Sequence, residues 1–177
     1  MNRELKEILR AEKALYYPPY FKTLRNKLAA WYTRCEPYEV YRFICALRKA
    51  EYYEGKNKLL RTYYLRKSNT FAIRLGYWIE PGVLGKGVRL WHKGIIINPE
   101  SKIGDGCVFH GDNCVGNNLK TNNCPVLGKN VDLGVGAKVI GPVTLADGIH
   151  VGANAVVVKS FTEPGITIAG IPAVKIK

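Results

Sequence analysis

Histidine is scarce in this chain of 177 residues: there are three, His92, His110 and His150. Spaced by 18 and 40 positions, they form no sequence cluster of the kind that holds a metal ion. The five cysteines, Cys35, Cys45, Cys107, Cys114 and Cys124, include no C-x-x-C pair. That argues against zinc and against a disulfide framework, and for a reducing, cytoplasmic home. No apolar run is long enough to span a bilayer, and Met-Asn-Arg-Glu-Leu-Lys-Glu at the start carries charge where a signal peptide needs an apolar core. Acidic residues are few as well, 14 against 27 Lys and Arg.

What is present is a sixfold repeat. Taking every sixth residue from Trp91 gives Trp91, Ile97, Ile103, Phe109, Val115, Thr121, Leu127, Leu133, Val139, Leu145, Val151 and Val157. All but Thr121 are large and apolar. The next position is often glycine, as at Gly104, Gly116, Gly128, Gly134 and Gly152. Neither a helix of period 3.6 nor a strand of period 2 writes this pattern. A solenoid does, each unit being a short strand and a turn whose anchor points into a core completed by neighbouring coils. The weakest stretch is Asn117 to Pro125, where Thr121 replaces an anchor and an Asn cluster with proline reads as a loop.

Charge is concentrated at the other end of the chain. Residues 1–75 carry 17 Lys and Arg against 7 Glu, and ten of the eleven tyrosines. Apolar spacing there is helical: Leu5, Ile8, Leu9, Glu12 and Leu15; then Leu24, Leu28 and Trp31; then Val40, Phe43, Ile44 and Leu47. Tyr17-Pro18-Pro19-Tyr20, Glu36-Pro37 and Gly55 separate these stretches, and a fourth runs from about Asn57 to Arg74. The expected division is therefore a basic α-helical region at 1–75 and a β domain at 76–177. The basic region reads as a cap on the solenoid that helps subunits associate, or as a peripheral membrane contact. Its dispersed charges and lack of a recognised motif argue against nucleic acid.

His92 and His110 both follow an anchor and lie 18 residues apart. They sit at the same position of units three apart, and a coil of three units, which the pattern's resemblance to the hexapeptide-repeat family implies, would stack them on neighbouring coils about 4.8 Å apart. Imidazole is suited to accept a proton near neutral pH. His150 falls at a different position in its unit and is expected to be incidental.

The pattern aliphatic–Gly–x–x–small–x resembles the hexapeptide-repeat acyltransferases, which implies a mainly β fold. That fold is a left-handed parallel β-helix of about four coils over 91–162, with an N-terminal α-helical cap. The finer resemblance is to the serine acetyltransferase-like branch, including capsular and exopolysaccharide O-acetyltransferases. It is carried by Leu90-Trp91-His92-Lys93-Gly94-Ile95-Ile96-Ile97-Asn98-Pro99, by Lys102 to Gly111, by Cys124-Pro125-Val126-Leu127-Gly128, and by Gly170-Ile171-Pro172-Ala173. It implies acetyl-CoA as co-substrate, no metal, and direct transfer with His110 as general base. Which residue orients His110 is open between His92 and Asp112. The resemblance places the donor against Gly134, Val135, Gly152 and Ala153, its phosphates near Lys159 and Lys175, and its adenine near Ile171 and Pro172. It also implies a homotrimer, or a dimer of trimers, with sites between solenoids.

Two departures bear on the acceptor. The family's orienting Asp is matched by Ile96, and its second active-site histidine by Cys124. With both amino-acid-site groups lost, the expected acceptor is a sugar hydroxyl or a lipid-linked glycan intermediate in surface-polysaccharide assembly, at the cytoplasmic side of the membrane. The alternatives are serine O-acetylation for cysteine biosynthesis, and a non-catalytic scaffold with a basic interaction surface.

Overall fold

The computed structural model describes residues 3–16 and 23–177. Tyr17 to Tyr20, expected to separate the first two helices, lie outside the described residues. Contacts divide the chain after Leu75 into a helical unit and a β unit, Gly76–Lys177.

The helical unit contains α1 (Arg3–Tyr16), α2 (Leu24–Thr33), α3 (Glu36–Tyr52) and α4 (Lys58–Leu75). Pro37 sits in the first turn of α3, where its missing N–H costs nothing. That helix buries Val40, Phe43, Ile44 and Leu47, the stripe its spacing predicts. In α1 the polar member of the stripe, Glu12, is buried like Leu5, whereas Ile8, Leu9 and Leu15 are only half-buried. Glu12 meets Arg48 Nε of α3 at 2.8 Å, and Arg48 Nη1 also meets Glu51 at 3.0 Å. A buried carboxylate is tolerated only with such a partner. The α2 stripe departs from expectation: Leu24, Leu28 and Trp31 are all exposed, and the helix buries only Ala30. No helix among the described residues is long and apolar enough to cross a membrane.

The β unit is a parallel β-helix whose rungs form three sheets. The first stacks β1 (Arg89–Leu90), β4 (Val108–Phe109), β7 (Asp132–Leu133), β10 (His150–Val151) and β12 (Thr167–Gly170), and β13 (Ala173–Lys175) closes it antiparallel. The second stacks β2 (Ile96–Ile97), β5 (Cys114–Gly116), β8 (Lys138–Ile140) and β11 (Val156–Val157), extended by a bridge from Trp78 to Ile96. The third stacks β3 (Lys102–Ile103), β6 (Val126–Leu127) and β9 (Thr144–Leu145), with bridges to Leu84 and Phe161.

Ten of the twelve expected anchors point inward, each 5% exposed or less, from Ile97 to Val157. Two do not, and both shift the geometry. Leu90 is the inward residue at 2% exposure, whereas Trp91 is half exposed. The turn after β1 holds one extra residue, so Leu90 pairs with Phe109, 19 positions on, while Ile97 pairs with Val115, 18 on. Thr121 is not a rung at all. Val108 pairs with Asp132 and Lys102 with Val126, each 24 positions on, so one whole six-residue unit is extruded as a loop. The rungs also begin earlier than Trp91, at Trp78 and Leu84. Each sheet therefore has five parallel levels rather than the expected four.

Turn geometry explains several polar residues. Gly136 has φ +73, and any Cβ there would strike Asn154 Oδ1 of the coil above. Gly94 (φ +78) lies likewise beneath Asp112 Oδ1. Glycine is required where the backbone is left-handed and the next coil presses on it. Asp105 and Asp147 each accept a backbone N–H from the coil below, from Lys86 and Lys129, at 2.7 Å. Cys107 is a core residue, its Sγ donating to Gly128 O at 3.1 Å, and burial pushes its thiol up to about 11.

Candidate active site

Three titratable side chains converge on the outer face of the first sheet. Asp132 precedes the inward Leu133 on β7, and His150 precedes the inward Val151 on β10, so the two stand directly opposite in register. His110 follows Phe109 one coil below and reaches Asp132 diagonally across the same face. His110 Nε2 is 2.9 Å from Asp132 Oδ1, and His150 Nδ1 is 3.5 Å from Asp132 Oδ2. Oδ1 is buried and accepts no well-aligned hydrogen bond, so the short contact is close in distance but bent in direction. Such bonds commonly straighten once substrate binds. His110 keeps 40% of its side chain exposed, and the ring is reachable from solvent.

The corner that carries His110 is fixed from beneath by Asn113, which is 1% exposed. Its amide donates to Gly134 O at 2.8 Å and accepts from Gly111 N at 3.0 Å. Nothing in the sixfold pattern singled out Asn113 or Asp132. Periodicity marks inward residues, whereas these two act through groups on the next coil.

Several expectations are corrected here. His92 and His110 do not stack: the extra residue in the turn after β1 puts Trp91 alongside His110 and His92 against Gly111. The carbonyl of His92 accepts from Tyr77 Oη at 2.9 Å. Asp112 does not orient His110 either, since its carboxylate lies over Gly94. His150 is not incidental, because it shares Asp132 with His110. On the donor side, Gly134 and Gly152 occupy equivalent turns of successive coils. A Cβ on Gly134 would meet Ala153 N at 2.7 Å, so coil packing already demands that glycine. Val135 and Ala153 are exposed beside them. Lys159 Nζ lies 5.4 Å from the Phe161 ring centre. Lys175 is engaged, with Nζ 2.7 Å from Glu163. Ile171, three-quarters exposed, and Pro172 form the tip between β12 and β13. Cys124 sits in the extruded loop, its Sγ 3.7 Å from Asn122 O. Among the described residues no group of three His, Cys, Asp or Glu could hold a metal ion.

The parallel β-helix is the fold that the sixfold pattern led one to expect of a hexapeptide-repeat acyltransferase. No family model matches the chain. The serine acetyltransferase of Helicobacter pylori strain J99 is 34% identical over 119 residues, covering 64% of this chain and 69% of that protein. That of Buchnera aphidicola subsp. Schizaphis graminum is 36% identical over 98 residues, covering 53% of this chain and 37% of that protein. The serine acetyltransferase of Brucella abortus strain S19 in complex with coenzyme A superposes with a TM-score of 0.71 at 22% identity, over 99% of this chain and 68% of that one. The chain belongs to the serine acetyltransferase family, and its β-helix is left-handed. It spans less than half the length of the Buchnera relative.

The relatives overturn the sugar acceptor, since these proteins are serine acetyltransferases by name. The physical argument for a sugar rested on two lost groups, the orienting carboxylate at Ile96 and the second histidine at Cys124. The first loss is made good by Asp132, which the structure sets beside His110 from a different coil.

Proposed function

We propose that this chain catalyses acetyl-CoA-dependent O-acetylation of L-serine, with His110 as general base and Asp132 as its positioning residue. The observation that carries the reading is the 2.9 Å approach of Asp132 to His110 Nε2 on a half-exposed corner of the β-helix. A carboxylate at Nε2 favours the tautomer that keeps its proton there and leaves Nδ1 as acceptor. The Nδ1 lone pair takes the proton of the serine hydroxyl as its oxygen bonds to the acyl carbon. The imidazolium, steadied by Asp132, then returns that proton to the departing sulfur, so the ring ends neutral. Acetyl-CoA supplies the activated acyl group, and no covalent acyl-enzyme is needed.

Donor binding is assigned to the turns Gly134-Val135 and Gly152-Ala153, with Ile171 and Pro172 beside the adenine. Among the described residues Lys159 faces no carboxylate, which suits a phosphate. Lys175 would have to exchange Glu163 for the phosphate. These turns lie on the outside of the solenoid, so a second copy must supply the opposite wall of the groove. That requirement favours a homotrimer.

Release of the CoA thiol, followed with L-serine as acceptor, tests the reading. His110→Ala should lower kcat by about 10²–10⁴-fold while coenzyme A binding persists. Asp132→Asn should lower kcat by less, with KM for acetyl-CoA unchanged. No serine turnover by the unaltered protein, or full activity in His110→Ala, would overturn the proposal.

A further inference from the structure

A concave site lies in the helical unit, and its lining shares no residue with the His110 corner. The cavity, of about 610 Å³, is lined by Trp31, Tyr32, Arg34, Arg42, Lys67, Thr70, Phe71 and Arg74. Four of its eight walls are cations. One is neutralised: Arg74 Nη1 lies 3.3 Å from Glu39 Oε2. Arg34, Arg42 and Lys67 face no carboxylate within ion-pair distance among the described residues. Arg42 is held in place by apolar surface, its guanidinium 4.6 Å from the Phe71 ring centre, and Lys67 stands 4.7 Å from the Tyr63 ring centre. Aromatic faces position such cations without neutralising them. Trp31 and Tyr32 add large, mostly exposed rings to the same cavity.

Like charges gathered in a concavity repel one another, and an anion in their midst relieves the repulsion. Guanidinium groups are shaped to grip a phosphate through paired N–H donors. The exposed indole offers a flat surface for whatever the phosphate is attached to.

We propose that the cavity between α2, α3 and α4 binds a phosphate ester with an adjoining apolar portion, gripped by Arg34, Arg42 and Lys67 and resting on Trp31. That chemistry has two sources, a soluble phosphorylated metabolite or the headgroup of an anionic lipid. The proposal does not depend on the assignment of His110.

The test uses the whole protein with two probes: inorganic pyrophosphate followed by calorimetry, and co-sedimentation with phosphatidylcholine vesicles with or without phosphatidic acid. The variant is Arg34→Asn/Lys67→Gln. Asn suits the left-handed backbone at position 34 (φ 49), and Lys67 is exposed, so neither change disturbs packing. Binding of one probe should weaken at least about tenfold in this variant. It should persist in Arg34→Lys/Lys67→Arg, while serine acetylation is unchanged in both. Pyrophosphate binding identifies the soluble source, and selective sedimentation with phosphatidic acid the lipid source. Binding that survives undiminished in the charge-removed variant, or no binding of either probe by the unaltered protein, would overturn the proposal. Loss of serine acetylation by His110→Ala with cavity binding intact separates this site from the catalytic reading.

Discussion

The helical unit and the β unit are stabilised in opposite ways. In the β unit the anchors of the rungs are apolar and each repeats the contacts of the residue one coil away, so the core is a column of near-identical layers, with Ser101 and Asn113 the buried polar side chains. In the helical unit the core is small and single. It includes an ion pair, Glu12 with Arg48, and it leaves the apolar edge of α2 uncovered. Redundancy makes the first unit legible from one dimension of sequence. The second depends on individual encounters between helices that share no pattern.

The comparison breaks most sharply in the two cores. Phe109 is completely buried between Leu90 and Leu133, and Phe109→Ala should cost about 3–5 kcal/mol in urea denaturation. A loss under 1 kcal/mol would mean that the column relaxes freely, contrary to its close packing. In the helical unit Arg48→Met should cost about 3–5 kcal/mol, because it strands the buried Glu12 carboxylate. Adding Glu12→Met should recover most of that loss, since apolar replacements of a buried pair are often neutral. Failure of the double variant to recover would show that Arg48 acts mainly through Glu51.

A milder contrast is alkaline. Cys107 in the folded β unit holds its proton to about 11, against an ordinary 9.0. The unfolded thiol ionises first, so stability contributed below pH 9 is lost as pH climbs towards 11. Cys107→Ala should flatten the urea midpoint across that window, and an unchanged slope would deny the thiol this role. The smallest effect is expected on α2. Leu28 is more than half exposed, and Leu28→Ala should shift stability by no more than about 0.5 kcal/mol. A larger shift would reveal that something covers this helix in solution.

Legibility followed the same divide. The sixfold period placed ten inward anchors correctly because each is forced by the same local geometry. It failed where the period itself was interrupted. A single extra residue after β1 moved Leu90 inward and Trp91 outward, which removed the stacking of His92 on His110. The loop at Asn117 to Pro125 was visible as Asn-rich and anchorless, yet the six residues it adds to the coil, one full unit, disguised that a rung was missing. Among the helices, Val40 to Leu47 read correctly, whereas Leu24, Leu28 and Trp31 carried the same spacing without burial. Spacing states which face is apolar and says nothing about whether a neighbour arrives to cover it.

By itself the sequence determined the solenoid and its inward column, and with them the outward place of His110 after Phe109, because repetition of apolar anchors leaves one way to bury them. Only the tertiary structure decided what stands beside that histidine. An 18-residue step would have set Gly128 over His110; extrusion of the loop makes the step 24 residues and brings Asp132 and His150 to that face instead. Pairing between coils, not order along the chain, selects the partner of His110.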